Sequence, residues 1–274
     1  MTADRKHYDL TGAGHDYPAR DGPPRRTLLV CTHPRSGSSL LGEALYFAGG
    51  LGCPIEYFHR GFRPGLAARW GTETLAEQVE AVHRLRTDPS GTLSVKIFWR
   101  DIEEMAAEFA PGRFADIQAM LPETTSPETY REIAALLADA FPNADYVHLW
   151  RSDRVRQAVS GLTAIQTGLW RVIPEMGEKA ATGAPDYDFD RIDGFVAYSD
   201  FCHAHWRNFF AAIGAAPFTL TYEALVGDYE GSVRAVLDHL GSDAAVPPIR
   251  MKRQSDSGNE AFVLRYLRER AALR

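Results

Sequence analysis

The sequence predicts an α/β fold in which a central, mostly parallel sheet lies between layers of helices. The chain has 274 residues, of which 45% are hydrophobic and 24% charged, enough apolar material for the core of one large domain. Short apolar runs rich in β-forming residues recur along it, and helical patterns separate them. Strands that alternate with helices in this way usually pair in parallel.

Each element is predicted from its own local pattern. Buried strands are predicted at residues 26–32, 93–99, 145–150 and 217–222. Apolar residues at helical spacing predict helices at residues 38–49, 72–86, 102–109, 127–140, 153–170, 191–213, 230–240 and 259–272. Ser126 precedes Pro127 at one helix start, and Gly241 follows the last apolar residue of another helix. The longest predicted loops are residues 58–71, 175–188 and 242–257.

Composition limits the domain organisation, the compartment and the partners. Residues 1–25 are polar and rich in Pro and Gly, and we expect a flexible arm there, followed by a single domain at residues 26–274. A formal net charge of −6 argues against nucleic-acid binding. The three cysteines have neither metal-ligand spacing nor an even count, which indicates a reducing compartment. Because no apolar stretch is long enough to span a membrane, the expected location is cytoplasmic.

The first strand runs into a loop of small residues before a predicted helix. Residues 33–39 read His-Pro-Arg-Ser-Gly-Ser-Ser. Such a P-loop-like segment points backbone N–H groups, hydroxyls and the positive end of a helix dipole at one anion. A nucleoside triphosphate enzyme would have a lysine next to the final Ser or Thr, whereas here an arginine precedes the glycine. The candidate anion ligands are Arg35, Ser36, Gly37, Ser38 and Ser39. An ordinary strand-to-helix turn with a serine N-cap is the alternative.

A second candidate anion site follows the third strand. Arg151 lies at the strand end and Ser160 lies inside the next helix. An arginine gives a phosphate two charge-assisted hydrogen bonds, and a serine hydroxyl adds one more. Because the carboxyl ends of parallel strands share one edge, the two sites together suit a ligand with two phosphate groups. The alternative is a surface ion pair for Arg151 and helix packing for Ser160.

Several motifs, in this order, resemble those of the bacterial carbohydrate sulfotransferase family typified by trehalose 2-sulfotransferase. The similarity covers most of residues 27–266. It rests on residues 34–41 (Pro-Arg-Ser-Gly-Ser-Ser-Leu-Leu), 54–58 (Pro-Ile-Glu-Tyr-Phe), 96–99 (Lys-Ile-Phe-Trp), 151–170, 221–225 (Thr-Tyr-Glu-Ala-Leu) and 252–255 (Lys-Arg-Gln-Ser). The resemblance implies a sulfotransferase that uses 3′-phosphoadenosine 5′-phosphosulfate (PAPS) and needs no metal.

The resemblance also implies roles for the two anion sites. The loop from Arg35 to Ser39 would hold the 5′-phosphosulfate, and Arg151 and Ser160 would hold the 3′-phosphate. Arg151 and Ser160 are nine positions apart, whereas the familiar cytosolic enzymes use eight. Arg253 and Gln254 either close over the nucleotide or belong to a solvated charged stretch.

Glu56 lies where the family's proposed general base lies. Its apolar neighbours could raise the pKa of its carboxyl group toward neutrality. His59 is the competing base, with the better intrinsic pKa. Lys96 lies in an apolar strand, where it either faces the transferring sulfonate or extends to water. The predicted catalytic residues are thus Glu56, Arg35 and Lys96.

The acceptor is expected to be a hydroxyl of a carbohydrate or a glycolipid-like molecule. Its predicted contacts are Glu56, Tyr57, Phe58, His59 and Gln166. A homodimer is expected by analogy, with the helix at residues 191–213 as one surface. Two other functions stay open: a P-loop small-molecule kinase, and a non-catalytic nucleotide-binding protein on the same fold.

Overall fold

Four parallel strands form the central sheet, in the order β2-β1-β3-β4. The computed structural model describes residues 9–171, 182–251 and 257–273. The strands are β1 (Arg26–Thr32), β2 (Thr92–Phe98), β3 (Ala144–Trp150) and β4 (Phe218–Thr221). Leu29 pairs with Val95 of β2 on one side and with Tyr146 of β3 on the other. All four predicted strands are therefore confirmed, with ends within one residue of the prediction.

Helices follow the strands as the pattern predicts. They are α1 (Ser38–Ala48), α2 (Arg63–Trp70), α3 (Leu75–Arg86), α4 (Trp99–Phe109), α5 (Pro111–Phe114), α6 (Pro127–Leu136), α7 (Arg154–Thr167), α8 (Phe189–Ile213), α9 (Tyr222–Gly227), α10 (Tyr229–His239) and α11 (Ser257–Ala272). Short 3-10 helices lie at Ala13–His15 and Ile117–Ala119.

Helices cover both faces of the sheet, which makes three layers. Side chains alternate along a strand, so Leu29 and Cys31 of β1 enter one apolar cluster with residues of α3, α4, α6 and α8. Leu28 and Val30 enter a second cluster with residues of α1, α9 and α10. A third cluster joins α7, α8 and α11. The predicted α/β class with a central parallel sheet is confirmed.

Residues 63–70 form α2, although the sequence predicted a loop at residues 58–71. This helix is short and buries a single residue, Leu66, so it carries almost no apolar periodicity. The ion pair of Arg63 with Glu108 on α4, with 2.5 Å between Nη1 and Oε2, ties it to the domain. Its position therefore depends on tertiary contacts that local patterning does not show.

Residues 9–25 lie along the domain, unlike the flexible arm expected from their polar composition. Leu10 is 3% exposed and belongs to the main core cluster. The fully buried Arg86 donates hydrogen bonds to the carbonyl oxygens of Leu10 and Thr11, at 2.8 and 3.2 Å, and pairs with Asp16 at 2.9 Å. A distant buried arginine thus holds this segment in place.

The helix proposed for dimer contacts mainly packs inside the domain. Trp206 of α8 is fully buried, and the helix packs against α6 and α7. Cys31, Cys53 and Cys202 are free thiols in the core. In the described part of the chain, no helix is both long and apolar enough to cross a membrane.

Candidate active site

The loop between β1 and α1 has the backbone geometry of an anion-binding turn. Arg35 and Gly37 both have left-handed backbones, with φ of 66° and 80°. A Cβ atom on Gly37 would lie 2.7 Å from Cδ2 of Tyr222, so only glycine fits. Gly37 is also the N-cap of α1, and it has no side chain to cap the first amide groups. The first turn of α1 thus presents backbone N–H groups beside an arginine.

The two predicted anion sites form one continuous group. Arg35 Nε donates a hydrogen bond to Ser160 Oγ at 2.9 Å, and its Nη1 donates to the Trp170 carbonyl oxygen. Arg151 Nη1 donates to the Arg35 carbonyl oxygen at 3.4 Å. Burial and the charge of Arg151 lower the pKa of the Arg35 guanidinium. Two close guanidinium groups create a positive field that favours an anion between them.

Gln157 and Tyr222 hold this group in place, although the sequence analysis assigned a role to neither of them. Gln157 Nε2 donates to the Pro34 carbonyl oxygen at 2.8 Å and to Ser36 Oγ at 2.9 Å. Tyr222, after β4, lies under the Arg151 guanidinium, with 4.4 Å between Cζ and the ring centroid. Both lie in stretches that carry the family resemblance. The contacts of Gln157 arise only once α7 lies beside the loop after β1, and that of Tyr222 only once β4 lies beside β3.

Glu223 completes the support beneath Arg151. Its carboxylate accepts hydrogen bonds from the backbone N–H groups of Ser152 and Asp153, at 3.0 and 3.1 Å. Those bonds lower the pKa of the Glu223 carboxyl group against the opposing effect of burial. The first turn of α9 therefore fixes the turn that follows Arg151.

A buried ion pair lies beside the loop. Lys96 Nζ is 2.7 Å from Glu56 Oε1 and donates to Ser39 Oγ at 3.1 Å. The Lys96 and Glu56 side chains are 5% and 14% exposed. The sequence suggested an apolar setting for Glu56, but β2 brings the Lys96 ammonium to it, because Ile55 lies beside Val95 in a parallel bridge. Lys96 therefore links Ser39 of the anion loop to the carboxylate of Glu56.

The residues after Glu56 take different positions. Tyr57 and Phe58 are 0% and 4% exposed, and both belong to the core cluster, so their side chains are not at the open face. His59 is half-buried, and its Nδ1 accepts a hydrogen bond from the Gly61 N–H at 3.1 Å. Burial lowers the pKa of His59, while the Glu56 charge opposes that shift. Of these residues, only His59 stays beside Glu56 at the edge of the core.

Asp101 is a buried carboxyl group that the sequence analysis missed. Its Oδ2 accepts a hydrogen bond from the Phe98 N–H at 2.9 Å and so caps α4. Its Oδ1 is buried and accepts no hydrogen bond from any residue that the structure describes. Burial, with the Glu56 and Glu104 charges adding to it, raises the pKa of Asp101 to about 8. At neutral pH this carboxyl group is therefore mostly protonated.

The other predicted contacts lie at the margins of the site. Gln166 exchanges two hydrogen bonds with the backbone of Asp186, at 2.8 and 3.1 Å, so its amide holds the segment before α8. Arg253 and Gln254 lie outside the described residues. No group of three or more metal-ligating side chains in the described ranges has a geometry that could hold a metal ion.

Comparisons with known proteins agree with these motifs. The family model of the Stf0 sulphotransferases matches residues 27–269. Trehalose 2-sulfotransferase of Mycobacterium tuberculosis (strain ATCC 35801 / TMC 107 / Erdman) is 28% identical over 284 residues, covering 89% of this chain and 95% of that protein. Trehalose 2-sulfotransferase of Mycolicibacterium smegmatis (strain ATCC 700084 / mc(2)155) is 27% identical over 256 residues, covering 88% and 94%. The chain therefore belongs to the Stf0 sulphotransferase family and is a sulfotransferase.

Proposed function

We propose that the protein transfers a sulfuryl group from PAPS to a hydroxyl of a small saccharide. One observation carries the proposal: the two anion sites and the candidate base form a single contact chain. Arg35 contacts Ser160 at 2.9 Å on one side of the loop. On the other side, Lys96 contacts both Ser39 and Glu56, at 3.1 and 2.7 Å. A nucleotide with two phosphate groups and an acceptor hydroxyl would therefore meet across the start of α1.

The site's shape and charge suit a PAPS-like donor. Gly37 lets the backbone turn close against Tyr222 into the first amide groups of α1, where an anionic group would bind, and Arg35 supplies a cation there. Arg151 and Ser160 would hold the second phosphate, the 3′-phosphate that distinguishes this donor from simpler adenine nucleotides. These cations and amides lie where charge develops as the sulfonate leaves the phosphate, and they supply electrostatic stabilisation of the transition state.

Glu56 is the proposed general base. It would take the proton of the acceptor hydroxyl while the acceptor oxygen bonds to sulfur. The bond between sulfur and the bridging phosphate oxygen breaks at the same time, and its electron pair leaves with adenosine 3′,5′-bisphosphate. Lys96 is positioned for both partners, because its ammonium contacts the base and the loop. In the proposed step it turns toward the transferring group and leaves Glu56 free to accept the proton.

His59 is the weaker candidate for the base. Its Nδ1 already accepts a backbone hydrogen bond, and burial disfavours its charged form. The acceptor class follows from the relatives, whose names give trehalose as the molecule they modify. We extend to this chain the class of small saccharides and not trehalose itself. A cytoplasmic homodimer remains our working expectation for the assembly.

The donor assignment is tested by nucleotide discrimination in Arg151→Ala. Calorimetry should show that the affinity for adenosine 3′,5′-bisphosphate falls about tenfold to a hundredfold, because charge-assisted hydrogen bonds are lost. The affinity for adenosine 5′-phosphate should change little. Arg156→Ala is the matched control, since Arg156 lies on the same segment but pairs with Asp153 and Glu260. Equal weakening of both nucleotides would refute the 3′-phosphate role.

A kinase would respond differently. It would bind ADP or ATP with magnesium and would not prefer a 3′-phosphate. Tight binding of adenosine 3′,5′-bisphosphate in the presence of a chelator would therefore separate the two functions.

A further inference from the structure

We propose that the amino-terminal edge of the sheet carries a second ligand site, which takes a small organic molecule bearing a phosphate or sulfate ester. The site is a cavity of about 300 Å³ that lies where β1 and β2 begin. Arg25 directly precedes β1, Gly91 directly precedes β2, and both line the cavity. The anion loop lies at the opposite edge of the sheet, roughly 20 Å away by the length of a seven-residue strand. The cavity is thus separate from the proposed sulfuryl-transfer site, and its ligand does not depend on that function.

The segment before β1 forms one wall of the cavity and is held by backbone hydrogen bonds. The Tyr17 N–H donates to the carbonyl oxygen of Leu85 at 2.8 Å, and the Arg20 N–H donates to that of Arg84 at 3.1 Å. Both acceptors belong to the last turn of α3. The bonds fix the chain at Tyr17 and Arg20, which line the cavity. This wall is therefore formed before a ligand arrives, which lowers the entropic cost of binding.

Arg25 lies over Gly91 in the turn before β2. Its N–H donates to the Gly91 carbonyl oxygen at 2.9 Å. Gly91 has a positive φ of 91°, and a Cβ atom there would lie 2.9 Å from Cδ and 3.0 Å from Cγ of Arg25. Only glycine lets the aliphatic stem of Arg25 lie this close to the turn. Packing of that stem, and not an ion pair, therefore holds the arginine at the cavity.

The two arginines of the cavity are available to a ligand. Among the described residues, neither the Arg20 nor the Arg25 side chain has a hydrogen-bond or ion-pair partner. Asp88 also lines the cavity, but its buried Oδ1 already accepts hydrogen bonds from the N–H groups of Ser90 and Thr92, at 2.9 and 3.1 Å. Because the carboxylate is engaged by the backbone and the guanidinium groups are not, the cavity favours an anion.

The lining also indicates the class of anion. An arginine fork binds an oxyanion through two hydrogen bonds, and two forks can share the three free oxygens of a phosphate or sulfate ester. Tyr17, Pro18 and Pro89 add ring surfaces to the lining. Such rings pack against the carbon skeleton of an organic ligand, for example a sugar. A volume of about 300 Å³ is at the small end of the usual range for ligand pockets, which suits an ester of monosaccharide size.

The test measures binding of glucose 6-phosphate and glucose 6-sulfate by calorimetry, with glucose and inorganic phosphate as comparison ligands. At least one ester should bind, at one molecule per chain, and both comparison ligands should bind at least about tenfold more weakly. Arg20→Gln and Arg25→Gln should each weaken the ester about tenfold or more, because each removes charge-assisted hydrogen bonds. Binding should persist in Arg35→Gln, which removes the cation of the anion loop. The ester that binds more tightly identifies the group that the site takes.

Arg84→Gln is the matched control, because Arg84 is an exposed arginine next to this wall that does not line the cavity. It should change the affinity for the ester by less than about threefold, as expected for a distant surface charge. Urea unfolding should show that all four variants are folded. Absence of ester binding to the wild-type protein, or equal affinity in Arg20→Gln and Arg25→Gln, would overturn the site. Loss of binding in Arg35→Gln alone would assign the ester to the anion loop, and equal affinity for inorganic phosphate would exclude an organic ligand.

Discussion

Gly37→Ala is the sharpest structural perturbation of the anion loop. The left-handed backbone at φ of 80° costs a non-glycine residue about 1 to 2 kcal/mol. The added methyl group would also meet Tyr222 Cδ2 at 2.7 Å, and overpacking of this kind costs about 1 to 3 kcal/mol. Tyr222 cannot yield freely, because the Arg151 guanidinium lies over its ring. The expected loss of stability is about 3 kcal/mol.

A matched control separates the two contributions. Gly214 also has a left-handed backbone, with φ of 67°, but a Cβ there would meet nothing within 4 Å. Gly214→Ala should therefore show only the backbone cost. Urea unfolding measures both stabilities, and calorimetry with adenosine 3′,5′-bisphosphate measures the site. Affinity should fall at least tenfold in Gly37→Ala alone, since moving Tyr222 displaces Arg151. Equal stability losses in the two variants, with unchanged affinity, would refute the close-packed loop.

Three further predictions concern buried ionisable groups, all measured by urea unfolding. Asp101→Asn keeps the helix cap and removes a buried carboxyl group. The pKa of that group is about 8 in the folded protein, above its unfolded value, so the carboxyl group lowers the stability of the wild-type protein as the pH rises above about 4. The variant should gain up to about 4 kcal/mol at pH 7 and little at pH 4, and equal gains would count against the assignment. Burial lowers the pKa of His33, His148 and His203 to about 3, 4 and 2, respectively. Because the unfolded chain gains protons on these residues first, the stability present above pH 6.5 should fall as the pH drops below that value. His33→Phe should flatten that dependence, and an unaltered slope would exclude His33 as a source. Lys96→Met should cost about 3 kcal/mol by leaving the Glu56 charge buried and unpaired, and adding Glu56→Gln should restore most of it. Failure of that double variant to recover stability would contradict the pairing.

The strands and the anion loop were predictable from sequence because their signals are local. The apolar run of β1 and the small residues up to Ser39 identify a strand, a turn and a helix start without reference to the rest of the chain. The carboxyl-edge rule for parallel strands then places Arg151 beside the loop, and the structure has its guanidinium donating to the Arg35 carbonyl oxygen.

The missed features depend on contacts between distant segments. Lys96 meets Glu56 because residues 54–57 run beside β2, an arrangement with no periodicity to detect. The segment at residues 9–25 is held by Arg86, which local composition does not link to it. Asp101 looks like an ordinary helix cap in the sequence, and only the folded structure shows that its side chain is buried. Local patterns thus predict the elements, and tertiary packing sets the charges within the site.

The central claim is tested most directly by following labelled sulfur from PAPS into a saccharide. Wild-type protein with a chelator present should transfer the label to a neutral disaccharide such as trehalose. Glu56→Gln should bind adenosine 3′,5′-bisphosphate normally but lose at least about 100-fold in turnover, as expected for loss of a general base. Transfer that survives in Glu56→Gln and disappears in His59→Gln would assign the base to His59. Failure of the wild-type protein to label any saccharide, together with phosphate transfer from ATP in the presence of magnesium, would contradict the account.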